Sequence, residues 1–283
     1  MVIGKRPLWL LIAAAVGASL LLVVATTRWG SPSDEHAYWL AARRLLEGEP
    51  LYDPTATITT PFAYLYPPPL AQLLVPVAAV VPSWLFSVGW TVLMGVALFW
   101  LAGRDILRAL AMIAFPPVAV EFWFRNIHLF LTVLVVLGLR SWSGWFAVGA
   151  AAKVSPGLGI AYLAFRGRWR EASIALGVGL AALVVSVALT PEAWRAYLDF
   201  VLATDPMQTS SFVGVPFPLR AAGGLLLAAV AGRTPRHIGD PVLVVAVTLA
   251  LPSLWFTGLS LLVGVVPLIA GDRRRGDFVS EAQ

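Results

Sequence analysis

The sequence contains no cysteine and only three histidines, and charged residues make up just 12% of its 283 positions. The absence of cysteine excludes disulfide bonds and thiolate metal sites, and three scattered histidines do not favour a zinc cluster, so we expect neither a metal nor a cofactor. An ordinary soluble domain has about 25% charged residues, whereas 59% of this chain is hydrophobic. The composition predicts an all-α, polytopic integral membrane protein.

The excess of basic residues does not indicate nucleic-acid binding. The net charge is +5, but the arginines lie beside apolar runs instead of forming one basic face. This placement is typical of the positive-inside rule and predicts a cell-membrane protein with both termini in the cytoplasm. Arg104 and Arg108 do not fit this assignment. The groups that fall on the cytoplasmic side are Lys5 and Arg6, Arg166 to Arg170, Arg233 and Arg236, and Arg273 to Arg275.

The apolar runs predict about ten membrane crossings or partly embedded helices in one transmembrane domain. The first, residues 8–27, has too long a core and too poor a cleavage site for a signal peptide, so we expect it to be retained. The predicted layout after it is a first outer loop (28–69), a helical bundle (70–190), a second outer loop (191–218), the last spans (219–270) and a cytoplasmic tail (271–283). The crossings after the first are predicted at 70–81, 84–102, 106–120, 127–139, 145–165, 172–189, 219–231, 241–251 and 255–270.

The longest polar interval, residues 31–70, contains one helix that can be predicted with both of its ends. Ser31, Pro32 and Asp34 form the pattern of a capping box, and Gly48 followed by Pro50 ends the helix. Apolar residues recur at helical spacing between these ends, which favours an amphipathic helix in the membrane interface. Its positions are Ala37, Tyr38, Ala41 and Leu45, with Arg43 and Arg44 in the last turns.

The rest of this outer loop is rich in proline and tyrosine. Pro54, Pro61 and the run Pro67 to Pro69 predict extended backbone. The tyrosines are expected to be interfacial aromatics. They are Tyr52, Tyr64 and Tyr66.

Lys153 is the only charge between Ser141 and Phe165. A lysine in the middle of a membrane helix costs about 2.5–3.5 kcal/mol on insertion scales, so it is expected to face a polar cavity or an anion. The alternative is that it reaches one membrane surface or pairs with Glu121. Arg125, Asn126 and His128 lie between two apolar runs, where they could equally form a solvated turn or part of a site.

Asp34 has two interpretations. As the acidic member of a capping box, it would stabilise the helix by about 0.5–2 kcal/mol and take no part in chemistry. As a lone carboxylate, it could deprotonate a hydroxyl that attacks an activated sugar, because a phosphate leaving group needs no acid. Glu35 is adjacent, but neighbours on a helix point about 100° apart, so the two are not an acid/base dyad.

Several short motifs follow one another along the chain. In the first outer loop they are Asp34-x-x-x-Tyr38-x-x-Ala41-Ala42, Gly48-x-x-Leu51-Tyr52-Asp53 and Phe62-x-Tyr64-x-Tyr66-Pro67-Pro68. Farther along come Arg125-Asn126-Ile127-His128, Lys153-x-Ser155-Pro156, Arg168-Trp169-Arg170, Ser211-x-x-Gly214 and Leu251-Pro252-Ser253-Leu254-Trp255. In this order the motifs resemble glycosyltransferase family 87, the polyprenol-phosphate-mannose-dependent mannosyltransferases of the GT-C fold class. The order carries the resemblance more than any single motif.

The resemblance implies a membrane α-mannosyltransferase that takes a hexose from a polyprenyl-phosphate donor and inverts the anomeric carbon at the outer membrane face. Asp34 matches the position of the catalytic base, and Lys153 would contact the donor phosphate. Arg43 and Arg44 are weaker phosphate candidates. A glycan or glycolipid acceptor would bind the outer loops, the prenyl tail would lie between spans, and membrane lipids would surround the protein. The other residues implied in substrate binding are Tyr38, Tyr66, Asn126, His128 and Ser211.

The chain also departs from this family. Phe256, Thr257 and Gly258 stand where the family usually has histidine, and Thr209-Ser210 replaces its Asn-Gln. The chain is shorter than is typical, which would remove one or more late spans. The ten-span count places His128 on the cytoplasmic side, opposite Asp34, so either the count or the role of His128 is wrong. Two other functions therefore stay open: a transporter or flippase for lipid-linked sugars, and an inactive relative that acts as a membrane binding partner.

Overall fold

A computed structural model of the protein describes residues 33–53, 60, 62–203 and 213–269. Within these ranges the chain is helical and has no β-strand, which confirms the all-α fold class. The α-helices are α1 (Asp34–Glu47), α2 (Pro68–Val80), α3 (Ser83–Leu101), α4 (Ile106–Ile113), α5 (Pro116–Phe124), α6 (His128–Arg140), α7 (Gly144–Ala152), α8 (Leu158–Phe165), α9 (Trp169–Leu189), α10 (Pro191–Ala203), α11 (Phe217–Arg233) and α12 (Arg236–Leu249). Two 3₁₀ segments, Ser155–Gly157 and Phe256–Gly264, lie before α8 and after α12.

Helix α1 ends where the sequence predicts but begins differently. Gly48 follows the helix with φ of 72°, the left-handed conformation that glycine adopts most readily. At the start, the N-cap is Ser33 and it makes no side-chain capping hydrogen bond, so the predicted capping box is wrong. Ser31 and Pro32 lie outside the described residues. Asp34 is instead the first residue of the helix, and its carboxylate bonds to a distant side chain described below.

Two of the predicted single crossings are broken helices. The run 106–120 divides into α4 and α5, which are bent by 83° relative to each other. The run 145–165 divides into α7, the 3₁₀ segment and α8. Both breaks come before a proline. Phe115 is extended directly before Pro116, because proline disfavours helical backbone in the residue that precedes it. Pro156 has no backbone N–H to bond to Ala152, four residues earlier, and its ring would clash with that carbonyl, so α7 ends at Ala152. Lys153 follows α7 in extended conformation, with φ of −149° and ψ of 129°, so the prediction of a lysine in the middle of a helix is wrong.

Among the described residues, α3 and α9 are long and apolar enough to cross a membrane, and α4 with α5 could form a third, bent span. The predicted count of about ten crossings is therefore not confirmed. Helix α9 has the surface expected in lipid, since Leu180, Val184 and Leu189 are 53%, 67% and 66% exposed. The apolar helices identify a membrane protein.

The outer-loop segments pack more deeply than predicted. Tyr52, Tyr64 and Tyr66 are 6%, 4% and 9% exposed, so they belong to the core and are not interfacial aromatics. Pro68 and Pro69 open α2, because proline fits the first turn of a helix, and are not extended. Helix α10 occupies the beginning of what the sequence predicts as the second outer loop. Helix α1 lies against α2 and α3. Its buried face is formed by Ala37, Tyr38, Ala41 and Ala42.

Candidate active site

Two consecutive carboxylates at the start of α1 meet two consecutive residues in the turn between α5 and α6. Asn126 Nδ2 donates a hydrogen bond to Asp34 Oδ2. Arg125 Nε donates to Glu35 Oε1 at 2.7 Å. A turn is present at Arg125 to His128, as one interpretation of the sequence predicts, but it is not solvated: Asn126 is 6% exposed and His128 is 1% exposed.

The hydrogen bonds of Asn126 determine which side of its amide faces Asp34. The Ile127 backbone N–H donates to Asn126 Oδ1 at 2.7 Å, and the Tyr66 hydroxyl donates to the same oxygen at 3.3 Å. Since Oδ1 is the acceptor of these bonds, Nδ2 is the group that points to Asp34. Within the described part of the chain, Asp34 Oδ1 makes no hydrogen bond, and the side chain is partly exposed. One carboxylate oxygen is therefore held and the other can accept a proton.

Tyr38 and Tyr66 continue this polar network into the protein. The Tyr38 hydroxyl donates to the Tyr66 hydroxyl oxygen at 2.9 Å, and their rings meet edge to face with centroids 5.0 Å apart. Lys153 Nζ lies 5.0 Å from the centroid of the Tyr66 ring, within the range of a cation–π interaction. Tyr66 thus contacts both the Asn126 that holds Asp34 and the cation of Lys153.

Lys153 is buried beside a histidine and a carboxylate. Its Nζ lies 2.8 Å from His128 Nε2, and His128 Nδ1 lies 3.0 Å from Glu121 Oε2. Lys153 is 8% exposed and Glu121 is fully buried. Both ring nitrogens of His128 are therefore engaged with protein groups. In the described ranges, no three His, Asp, Glu or Cys side chains are grouped so that they could hold a metal ion.

The surroundings of Asp34 favour proton transfer near neutral pH. Burial raises the pKa of its carboxyl from the usual 3.8 to about 7, with a further upward contribution from the Glu121 charge. Lys153 and the Asn126 hydrogen bond act in the opposite direction on this pKa. A general base is most effective when its pKa is close to the working pH, so Asp34 is suited to take a proton from a hydroxyl.

The structure brings together six of the residues predicted from sequence. Asp34 and His128 belong to the same cluster, so the prediction that they lie on opposite sides of the membrane is wrong. The ten-span count from which it came is not confirmed, and one of its predicted crossings is the pair α4 and α5, which an 83° bend divides. The predicted residues in the cluster are Asp34, Tyr38, Tyr66, Asn126, His128 and Lys153.

The other predicted residues lie elsewhere. Arg43 forms an ion pair with Glu47 one turn away on the surface of α1. Arg44 lines a separate cavity of about 190 Å³ together with Tyr52 and Phe200. Both arginines are nine or ten residues beyond Asp34, which is about 14 Å along a helix. Ser211 lies outside the described residues.

The sequence marks Glu121 and Asn126 more strongly as site residues than the predictions state. Glu121 is predicted only as a partner for Lys153, yet it is the one acidic residue between Asp105 and Glu171. A single carboxylate in a long apolar region is costly unless it has a partner, which marks it as a candidate site residue. Asn126 is the only asparagine in the whole sequence. Arg125, which pairs with Glu35, is not among the predicted site residues.

The segment where the chain departs from the family's histidine lies against His128. A Cβ atom added to Gly258 would be 3.9 Å from His128 Nε2 and 2.7 Å from Leu251 Cδ1. A larger residue at Gly258 would therefore crowd this end of the site. In this chain the imidazole beside Lys153 comes from the start of α6.

Taken together, the fold and the cluster define an all-helical membrane protein with a carboxylate and an ammonium group held in one polar site. The family model of glycosyltransferase family 87 matches residues 64–277, which is more than half of the chain. The chain therefore belongs to glycosyltransferase family 87, which makes it a membrane glycosyltransferase. Tyr66, Asn126, His128 and Lys153 lie within the matched range, whereas Asp34 precedes it. No curated protein and no solved structure matches the chain at a significant level.

Proposed function

We propose that this glycosyltransferase transfers a hexose, mannose by resemblance, from a polyprenyl-phosphate donor to an acceptor hydroxyl with inversion at the anomeric carbon. The observation that carries the proposal is the placement of Asp34 and Lys153 around Asn126 and Tyr66. The Asp34 carboxylate is suited to act as a base, and the Lys153 ammonium is suited to bind an anion. The donor would lie with its prenyl tail among membrane lipids, and a glycan or glycolipid acceptor would approach through the outer loops.

In the proposed reaction, Asp34 Oδ1 takes the proton of the acceptor hydroxyl as the acceptor oxygen attacks the anomeric carbon. The bond between that carbon and the phosphate oxygen breaks, and the lipid phosphate leaves with the bonding electron pair. A phosphate is a stable leaving group, so no protein acid is needed at this bond. Attack on the face opposite to the departing phosphate inverts the configuration.

Lys153 is suited to stabilise the departing phosphate. A charge-assisted hydrogen bond from an ammonium to a phosphate is stronger than a neutral one, and its strength increases where water is excluded. Lys153 is 8% exposed, so an anion that reached Nζ would meet a largely desolvated cation. This arrangement favours the transition state, in which negative charge grows on the phosphate.

We further propose that the site faces the outer side of a cell membrane, with several spans and both termini in the cytoplasm. The arginine distribution of the sequence supports this orientation. Asp34 lies at the start of α1, outside the spans α3 and α9. An outward site would give the base access to a hydrophilic acceptor.

The test uses purified protein in lipid vesicles with radiolabelled polyprenyl-phosphate mannose on one side. We expect labelled sugar on an added glycan or glycolipid acceptor, with the anomeric configuration inverted by NMR. Movement of intact donor across the bilayer without transfer would instead identify a flippase, and binding without either process would identify an inactive relative. In the same system, Lys153→Gln should weaken donor binding about tenfold; unchanged affinity would reject the phosphate role of Lys153.

A further inference from the structure

The ammonium of Lys153 has an imidazole as its hydrogen-bond partner. Lys153 Nζ lies 2.8 Å from His128 Nε2. Glu121 stands behind that imidazole and contacts its other nitrogen, with Oε2 at 3.0 Å from Nδ1. The three side chains therefore form a line of carboxylate, imidazole and ammonium.

The chemistry of the groups sets the direction of the hydrogen bonds. An ammonium can only donate, so His128 Nε2 must be the acceptor and must carry no proton. The proton of the neutral ring is then on Nδ1, from which it donates to Glu121 Oε2. The other oxygen, Glu121 Oε1, accepts the His128 backbone N–H at 2.7 Å. Because both carboxylate oxygens bind the same residue, the ring has one favoured tautomer and one orientation.

The line joins three parts of the fold. Glu121 is in α5, His128 begins α6, and Lys153 follows α7 in the extended break before α8. Because Lys153 lies in extended backbone between two helices, neither helix fixes its side chain, and its ammonium needs a hydrogen-bond partner to hold one position. At its far end the ammonium lies 5.0 Å from the centroid of the Tyr66 ring, beside the side chains that hold Asp34.

We propose that Glu121 and His128 are positioning residues that hold the Lys153 ammonium in place to bind the phosphate of a lipid-phosphate ligand. Glu121 compensates the buried positive charge of Lys153 through the imidazole. His128 accepts a hydrogen bond from the Lys153 ammonium and so fixes its position. The bound group is a phosphate ester on a prenyl lipid, and this identity rests on the proposed function. The orientation of the three side chains does not depend on it.

The first test observes the imidazole directly. The chain has only three histidines, His36, His128 and His237, so ¹⁵N labelling of histidine in nanodiscs gives a spectrum that His128→Gln can assign. We expect His128 to be neutral with its proton on Nδ1 in the wild-type protein. In Lys153→Met, Glu121 still accepts from Nδ1, so the proton should stay on Nδ1, while the ¹⁵N resonance of Nε2 should shift to that of a nitrogen without a hydrogen-bond donor. A wild-type His128 that is charged, or that carries its proton on Nε2, would overturn the inference.

The second test measures binding of polyprenyl phosphate without sugar, with inorganic phosphate as a separate probe. Glu121→Gln removes the compensating charge but keeps a hydrogen-bonding group, and we expect the Kd for polyprenyl phosphate to rise about tenfold. The matched control is Asp240→Asn, the same change of acid to amide at a residue that accepts a hydrogen bond from Tyr162 on α8. A Kd in Glu121→Gln within twofold of the wild type would overturn the inference.

Comparison of the two probes separates the lipid from the phosphate. Tighter binding of polyprenyl phosphate than of inorganic phosphate, with both weakened by Glu121→Gln, would support a phosphate ester on a lipid. Inorganic phosphate that binds as tightly as the lipid would contradict the lipid assignment. Thermal unfolding of each variant, measured alongside, shows whether a loss of binding comes from a loss of structure.

The inference and the proposed function can fail separately. A wild-type protein that binds polyprenyl phosphate, loses this binding in Glu121→Gln and transfers no sugar would support the positioning role and reject the transferase mechanism. A protein that transfers sugar with an unchanged donor KM in Glu121→Gln would reject the positioning role alone.

Discussion

Asn126 Nδ2 donates a hydrogen bond to Asp34 Oδ2 and so joins two residues that are 92 positions apart in the chain. This contact connects the first residue of α1 to the turn between α5 and α6. It holds one oxygen of the carboxylate and favours its ionised form. The proposed chemistry depends on this bond because a base must be both ionised and correctly directed.

Removal of this bond should reduce turnover. We expect Asn126→Leu to lower kcat about tenfold to hundredfold, because a charge-assisted hydrogen bond to the base is lost and Asp34 can turn away. The measurement is steady-state transfer from the lipid-phosphate donor. Gln72→Leu is the matched control, since Gln72 is an amide that bonds to Ser186 and Thr190 in the contact between α2 and α9. Equal activity of the two variants would show that the Asn126 bond has no catalytic importance.

The pH dependence of transfer should show one ionisation that belongs to Asp34. Its pKa is raised to about 7, and the base acts in its deprotonated form. We therefore expect kcat/KM to fall as the pH decreases through about 7 and to level off above it. In Asn126→Leu the pH at which kcat/KM falls should be higher, because the lost hydrogen bond stabilised the ionised carboxylate of Asp34. A profile that is flat from pH 5 to pH 8 would argue against a base with a raised pKa.

Tyr66 should contribute through its hydroxyl and its ring in separable ways. Tyr66→Phe removes the hydrogen bond to Asn126 but keeps the ring beside Lys153. We expect it to lower kcat severalfold and to leave the donor KM nearly unchanged. Tyr66→Leu also removes the cation–π contact, worth about 0.5–2 kcal/mol, so the donor KM should rise as well. Identical kinetics for the two variants would mean that the ring has no role in donor binding.

Arg220 should be important for stability. It is 2% exposed, and its guanidinium donates to backbone oxygens in two segments, one just before α11 and one at the end of α12. Arg220→Met would leave the buried Leu251 carbonyl unpaired at a cost of about 1–3 kcal/mol and would remove three further, partly buried bonds, so we expect a clearly lower Tm in detergent. The acceptors are the carbonyl oxygens of Val215, Leu249, Leu251 and Pro252.

The control for this prediction is Arg233→Met on the same helix. Arg233 is exposed, makes a long bond of 3.4 Å to the Ala229 carbonyl oxygen and lies 5.4 Å from the centroid of the Phe165 ring, so its loss should change the Tm little. If both variants unfold at the same temperature, the buried guanidinium does not hold the segment before α11 to the end of α12.

The sequence allowed most local structure to be predicted. Apolar runs bounded by proline and glycine predicted α2, α3, α9 and α12 to within a few residues, apart from the start of α12. The cost of an isolated charge in an apolar region pointed to Lys153, and the family motifs pointed to Asp34. These signals are local, because periodicity, turn residues and charge can be read within a short window.

The arrangement of the site could not be predicted in the same way. Nothing in the periodicity of α1 or α6 indicates that Asp34 meets Asn126 or that Tyr66 lies beneath Lys153, since these contacts depend on which helix ends come together. The side of the membrane predicted for His128 is wrong for a related reason. Hydropathy treats an apolar run as a crossing, whereas two of these runs are divided before Pro116 and Pro156. An odd number of crossings counted between Asp34 and His128 was enough to put them on opposite sides.

The central claim is that Asp34 is the base that deprotonates the acceptor. The most direct test is the single-turnover rate of sugar transfer by Asp34→Asn at saturating donor, compared with the wild-type protein. The account predicts a rate that is lower by about 10²–10⁴, the usual contribution of a general base, while the affinity for polyprenyl phosphate stays close to wild type. Transfer by Asp34→Asn at a rate within threefold of the wild type would contradict it.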